Sequence, residues 1–209
     1  RMVQFEGNSA ILSIYAKMAR KRGFKGLFAV VSDPVDLLCR KAWEVSNTDE
    51  NGNMDYTVLG TDQIRGYGLC VMHARARFYS LLREETKDYE IHGRAYGPHG
   101  EGLLIANSIS VYNEKLSDEL TEAAKHANLK IRETGFKPFV APALSSGALS
   151  ILATLRGEWH HSTHFIGGVF MGSKNRRSLM GIEPERAALP PSLKKKLYET
   201  YGMLEDLYE

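Results

Sequence analysis

From residue 8 onward apolar side chains recur at Ile11, Ile14, Tyr15 and Met18. That spacing places them on one stripe of a helix. Asn8 or Ser9 can cap its start, and Arg20, Lys21 and Arg22 before Gly23 close its end. The next apolar stretch, residues 26–31 (GLFAVV), has no alternation and stops at Ser32-Asp33-Pro34. A run of this kind predicts a strand buried on both faces of a parallel sheet. Pro34 suits the first turn of a following helix with Val35, Leu38, Cys39 and Ala42 inward. Residues 46–55 (SNTDENGNMD) read as a surface excursion, and 57–59 as another short strand. Helix, strand and helix in this order is α/β grammar.

The grammar changes near Thr61. A helical stretch carries Val71, Met72, Ala76 and Leu81. Tyr89, Ile91, Gly93 and Ala95 then alternate with Glu90, His92, Arg94 and Tyr96, predicting a half-exposed strand over 88–96. Ser117 reads as the cap of a helix bearing Leu120, Ala124, Ala127 and Ile131, and 138–155 as a helix rich in small residues. Residues 163–172 and 178–182 read as antiparallel strands. Pro190-Pro191-Ser192 opens a last helix with Leu193, Leu197, Tyr201, Leu204 and Tyr208 on one face. The expected organisation is therefore α/β followed by α+β, with units 1–60 and 61–209.

Composition narrows the class. With 209 residues, 43% hydrophobic, 25% charged and a net charge of +2, the chain is neither a disordered polyampholyte nor a basic protein that coats phosphates. Cys39 and Cys70 lack CxxC spacing, so no disulfide framework or structural zinc is expected, and a reducing, cytoplasmic setting is. No apolar stretch approaches the roughly 18 residues of a membrane span. His160-His161-Ser162-Thr163-His164 has the look of a metal site, but a plain strand is the expected reading and no metal is expected. Arg1 has no Met before it, and the chain is expected to be a fragment of a longer polypeptide.

Candidate chemistry lies in four places. Ligands of open α/β sheets sit outside the carboxyl ends of the strands, which is where Ser32 and Asp33 fall. His99, in Gly97-Pro98-His99-Gly100, is a titratable group with little steric cover, suited to proton transfer near neutral pH. Arg75, in Met72-His73-Ala74-Arg75, can grip a carboxylate in a bidentate clamp. Arg1 is the fourth.

In this order these residues resemble the carboxyl-terminal two-thirds of the NAD-dependent lactate and malate dehydrogenase family, over essentially the whole chain. The family has a strand ending in Asn-Pro-Val-Asp, here Asp33-Pro34-Val35-Asp36; a helix with Asp-x-x-Arg, here Met72 to Arg75; and a Gly-x-His-Gly loop, here Gly97 to Gly100. Arg75 and His99 stand 24 residues apart, as the family pattern has them. Residues 135–142 (GFKPFVAP) are similar to the family helix before the substrate pocket. The resemblance implies the second half of a Rossmann-type parallel sheet followed by the family's α+β domain. It also implies hydride transfer between NAD(H) and a small 2-hydroxy or 2-oxo acid. His99 would move the proton, Arg75 bind the carboxylate, Arg1 polarise the carbonyl, and Asp33 stand where an Asn orients nicotinamide and substrate oxygen. Asn8, Val31 and Asp33 would line the cofactor. A homodimer or homotetramer would be expected, with no nucleic acid and no membrane as partners.

The departures are specific. Met72 stands where the family has the Asp that orients its catalytic His, and a thioether supplies neither charge nor a firm hydrogen bond. His73 is no substitute, since one helical step turns about 100° away. Asp33 replaces a neutral amide with an anion that repels a substrate carboxylate unless protonated or paired. Pro138 removes a hydroxyl near the pocket. No GxGxxG occurs, so the chain as given is expected to be inactive. A second reading is open: a catalytically degenerate, dehydrogenase-like binding or assembly module.

Overall fold

The computed structural model describes residues 2–135 and 141–208. Arg1 and Pro138, and with Pro138 most of the 135–142 segment, lie outside the described residues.

Helix α1 (Met2–Lys21) leads to strand β1 (Phe28–Val30), helix α2 (Val35–Ser46) and strand β2 (Ile64–Gly66). Helix α3 (Leu69–Ser80), a single turn α4 (Tyr89–His92) and the hairpin β3 (Arg94–Tyr96) with β4 (Leu104–Ala106) follow. Then come α5 (Glu114–Glu133), α6 (Ala141–Arg156), β5 (His160–Ile166), β6 (Val169–Ser178), β7 (Gly181–Pro184) and α7 (Pro191–Asp206). One five-stranded sheet runs β1-β2-β5-β6-β7, parallel between β1 and β2 and antiparallel beyond, so it takes strands from both sides of residue 60.

The local outcomes follow from packing. α2 buries Val35, Leu38, Cys39 and Ala42 as its periodicity predicts. α1 starts earlier than predicted and turns a different face inward. Ala16 and Ala19 are buried while Ile11, Ile14, Tyr15 and Met18 are each more than half exposed. The small residues let α1 lie close against α2, joined by Phe5 and Leu12. β1 is buried on one face only, with Val30 inside and Ala29 outside. Residues 57–59 form no strand; Leu59 is buried from an irregular segment, and the parallel partner of β1 is β2.

The alternation over 88–96 is half misleading. Tyr89 is buried and anchors a helical turn, in which the His92 amide donates to the Asp88 carbonyl and the Gly93 amide to the Tyr89 carbonyl, each at 2.9 Å. Only Arg94–Tyr96 is extended. α5 is capped by Asn113, whose side chain accepts from the Leu116 amide at 3.0 Å, and Ser117 lies inside the helix. Residues 178–182 contain the turn between β6 and β7. α7 starts with Pro at its first turn, as predicted.

One contact fixes the loop that carries His99. Gly97 and Gly172 exchange backbone hydrogen bonds of 3.0 and 3.2 Å, tying the end of β3 to β6. A Cβ on Gly172 would come within 2.6 Å of the Gly97 carbonyl oxygen, so the close approach requires glycine there.

Candidate functional site

The site is assembled at the carboxyl end of β1. Asp33 follows the strand, and its Oδ1 lies 2.6 Å from Nδ1 of His99, brought over by the loop after β3. Both backbones are held. Asn8 on α1 donates its side-chain amide to the Asp33 carbonyl at 2.7 Å, and the His99 amide donates to Oδ2 of Asp36 at 3.1 Å. The second oxygen of Asp36 accepts from the Thr163 hydroxyl at 2.8 Å. Asp36 is buried in the first turn of α2, and burial pushes its carboxyl up to about 6 against those two hydrogen bonds.

Asp36 and Thr163 support the His99 loop through these hydrogen bonds, and sequence reasoning did not single them out. Asp36 was visible only as the last residue of the Asp-Pro-Val-Asp segment. Thr163 gave no signal, because it comes from a distant strand.

Arg75, on α3, donates to the Ala124 carbonyl at 3.3 Å and places Nη1 4.0 Å from Sδ of Met72. Burial lowers its pKa, while the Asp33 charge acts in the opposite sense. Asp33 is therefore within electrostatic reach of the guanidinium as well as bonded to the imidazole. Met72 is buried among Leu69, Tyr89, Leu103, Ile105 and Leu120. His73 turns away to pair its Nδ1 with the Tyr89 hydroxyl at 2.9 Å, its ring stacked on His161.

Three recesses surround these groups. Val31, half-exposed, lines a groove of about 430 Å³ with Asn8, Ile11, Leu12 and Tyr15. His99 borders an apolar cavity of about 300 Å³ closed by Met203, Leu204 and Leu207 of α7. Arg75 opens on a third, of about 450 Å³, with Phe78, Tyr79 and Lys130. None of these three recesses is lined by both Arg75 and His99; Asp33 is the group that links them.

The histidines of β5 have other partners. His160 contacts the hydroxyls of Ser150 and Thr154 at 2.5 and 2.9 Å, and His164 that of Ser173 at 2.8 Å. Among the described residues no cluster of three or more His, Cys, Asp or Glu could hold a metal, and no helix is long and apolar enough to cross a membrane.

The mixed α/β fold is that of solved lactate and malate dehydrogenases. Sequence and structural comparisons agree that the chain is similar to part of these dehydrogenases. It is 24% identical over 202 residues to an L-lactate dehydrogenase of Bacillus pumilus, a match covering 84% of the chain and 61% of that protein. The malate dehydrogenase of Aeropyrum pernix superposes with a TM-score of 0.78 at 14% identity, covering 99% of the chain and 70% of that structure. The malate dehydrogenase of Archaeoglobus fulgidus in complex with NADH superposes at 0.74 and 16% identity, covering 95% of the chain and 66% of that structure. The chain thus spans about three fifths of the length of the curated relative. No protein-family profile matches it.

Proposed function

We propose that the chain is the substrate-handling portion of an NAD-dependent dehydrogenase that interconverts a small 2-oxo acid and its 2-hydroxy acid, of lactate or malate type. The observation that carries this reading is the 2.6 Å contact between His99 and Asp33, with Arg75 in the field of the same carboxylate. An imidazole held at Nδ1 keeps Nε2 for proton exchange, and a half-buried guanidinium binds a carboxylate more strongly than one in bulk water.

The groove beside Val31 fits the ring end of a dinucleotide. Its walls are Ile11, Leu12, Tyr15 and Val30, apolar surfaces against which a flat heterocycle packs, and Asn8 stands at its polar side. The 209 residues contain no GxGxxG, so they offer no glycine-rich cradle for the pyrophosphate. When bound, NADH supplies the hydride to C2 of the acid. His99 delivers its Nε2 proton to the carbonyl oxygen during reduction and recovers it during oxidation. Arg75 holds the carboxylate, and Asn8 keeps the Asp33 backbone in place. Arg1 is proposed to polarise the carbonyl. These 209 residues alone are proposed not to turn over, because most of the dinucleotide would lack contacts. A cytoplasmic location and assembly with further copies of the chain complete the proposal.

One observation favours the second reading, a degenerate binding or assembly module: a buried Met72 takes the place of the carboxylate on α3. The polypeptide encoded by the complete reading frame, assayed with NADH against a panel of 2-oxo acids, separates the two. The dehydrogenase reading expects turnover with at least one acid, falling about 10²- to 10⁴-fold in His99→Asn. No turnover with any acid, together with unchanged NADH fluorescence, would leave the module.

A further inference from the structure

We propose that Asp33 is the carboxylate that positions His99, so that the chain retains a working Asp–His pair built from the β1 terminus instead of from α3. The resemblance places this role at position 72 and an amide at position 33; in this chain the carboxylate stands at position 33 and position 72 is apolar. The catalytic side of this inference rests on the dehydrogenase reading, whereas the pairing itself does not.

Four features carry it. The Oδ1 to Nδ1 distance of 2.6 Å is that of a charge-assisted hydrogen bond. Both backbones are anchored independently, Asp33 by Asn8 and His99 by Asp36, so little freedom is lost when the pair forms. The imidazole side of the pair is covered, the His99 side chain being 17% exposed, while that of Asp33 is 43% exposed and open to a ligand. Met72 is occupied elsewhere, its side chain packed into the core with the Arg75 guanidinium beside its sulfur.

The consequence for chemistry is directional. Asp33 accepts the Nδ1 proton, fixing the tautomer in which Nε2 is the proton-exchanging atom, the task of the buried Asp in a Ser-His-Asp triad. With its Oδ1 engaged by His99, the residue at this position no longer supplies an amide N–H to the substrate oxygen. Stabilisation of that oxygen then rests on His99 itself and on cationic groups. The charge on Asp33, set against the imidazole, is also partnered in the way its repulsion of a substrate carboxylate requires.

Two measurements test this. The first is the ring ¹⁵N shifts of His99 in the 209-residue chain, recorded at alkaline pH. The Nδ1–H tautomer is expected to dominate in the wild type and in Asp33→Asn, whose amide oxygen still accepts, and to lose that dominance in Asp33→Ala. Amide spectra of the three proteins verify that each is folded. The second is steady-state kinetics on the complete polypeptide. Asp33→Ala is expected to lower kcat by about 10²- to 10⁴-fold with KM changed only a few-fold. Adding Met72→Asp to that variant is expected to restore nothing.

Unchanged ¹⁵N shifts in a folded Asp33→Ala variant, or recovery of turnover by Met72→Asp, would overturn the assignment. If the shifts move as expected but the wild-type polypeptide reduces no 2-oxo acid, the pairing stands and the dehydrogenase reading fails.

Discussion

Asp36 illustrates how much depends on single side chains around the site. Its carboxyl is raised to about 6 by burial, so the folded chain holds this proton more tightly than the unfolded chain does. The stability contributed by this group is therefore full below about pH 4 and is lost as pH climbs toward 6, up to about 3 kcal/mol. Asp36→Asn removes the titration. Urea unfolding of wild type and variant from pH 4 to 7 is expected to show the difference between them moving in favour of the variant as pH rises; parallel curves would count against a raised Asp36. Met72 belongs to the same scale. The sequence pattern makes it a missing carboxylate, but its buried position makes Met72→Asp a buried charge and Met72→Ala a cavity. The latter is expected to cost about 2–5 kcal/mol in denaturant unfolding. His99 and Arg75 stood out in the sequence because their motifs are local and their spacing follows the pattern of the family the chain resembles. The turn of Asp33 toward His99 was not, since it joins positions 66 residues apart whose approach is set by the fold.

At the level of elements, periodicity read α2 and α7 well because each has one clear inner face. It misread α1, where alanines rather than the larger apolar residues face the neighbour. Hydrophobic size argues for Ile11 and Met18 inside, and close helix packing argues for Ala16 and Ala19; packing prevails. It misread residues 89–92 for a related reason: one buried tyrosine is enough to set a helical turn, while Ile91 remains exposed. The short parallel strands were partly legible, with β1 recognised as an apolar run and β2 hidden in the polar-looking Ile64-Arg65-Gly66. Here Arg65 is fully buried and its guanidinium donates to Ser162 Oγ at 2.9 Å. The junction of Gly97 with Gly172 gives a test at this level. Gly172→Ala drives a methyl into a backbone oxygen and into Leu69, and is expected to destabilise the fold by about 1–3 kcal/mol. It should also reduce turnover, because the His99 loop is displaced from β6. Thermal unfolding and kinetics on the same preparation check both.

Among the described residues, apolar side chains stand exposed along at least two helices. One such stripe faces outward on α1. Another runs along α6, where Leu149, Leu152 and Leu155 are 69%, 40% and 64% exposed. Contiguous apolar surface of this kind marks an association face. The chain is expected to sediment as a dimer or larger species, and Leu149→Glu with Leu155→Glu to shift it toward monomer without loss of helical content; a wild-type monomer at micromolar concentration would refute the expectation. The overall α/β plus α+β character was legible from the change of grammar near Thr61. The continuous sheet was not, because strand order is decided by pairings between distant segments, such as Gly66 with Thr163.

The hydrogen bond from Asn8 to the Asp33 carbonyl gives the first helix a mechanical hold on the residue that bonds His99. A push on α1 from outside, whether by crowding of its oily flank or by a neighbouring subunit, would pass through a single hydrogen bond to the backbone of the residue that holds the imidazole. Regulation of such a protein could thus operate by tugging on a lever, leaving the chemistry's own atoms untouched.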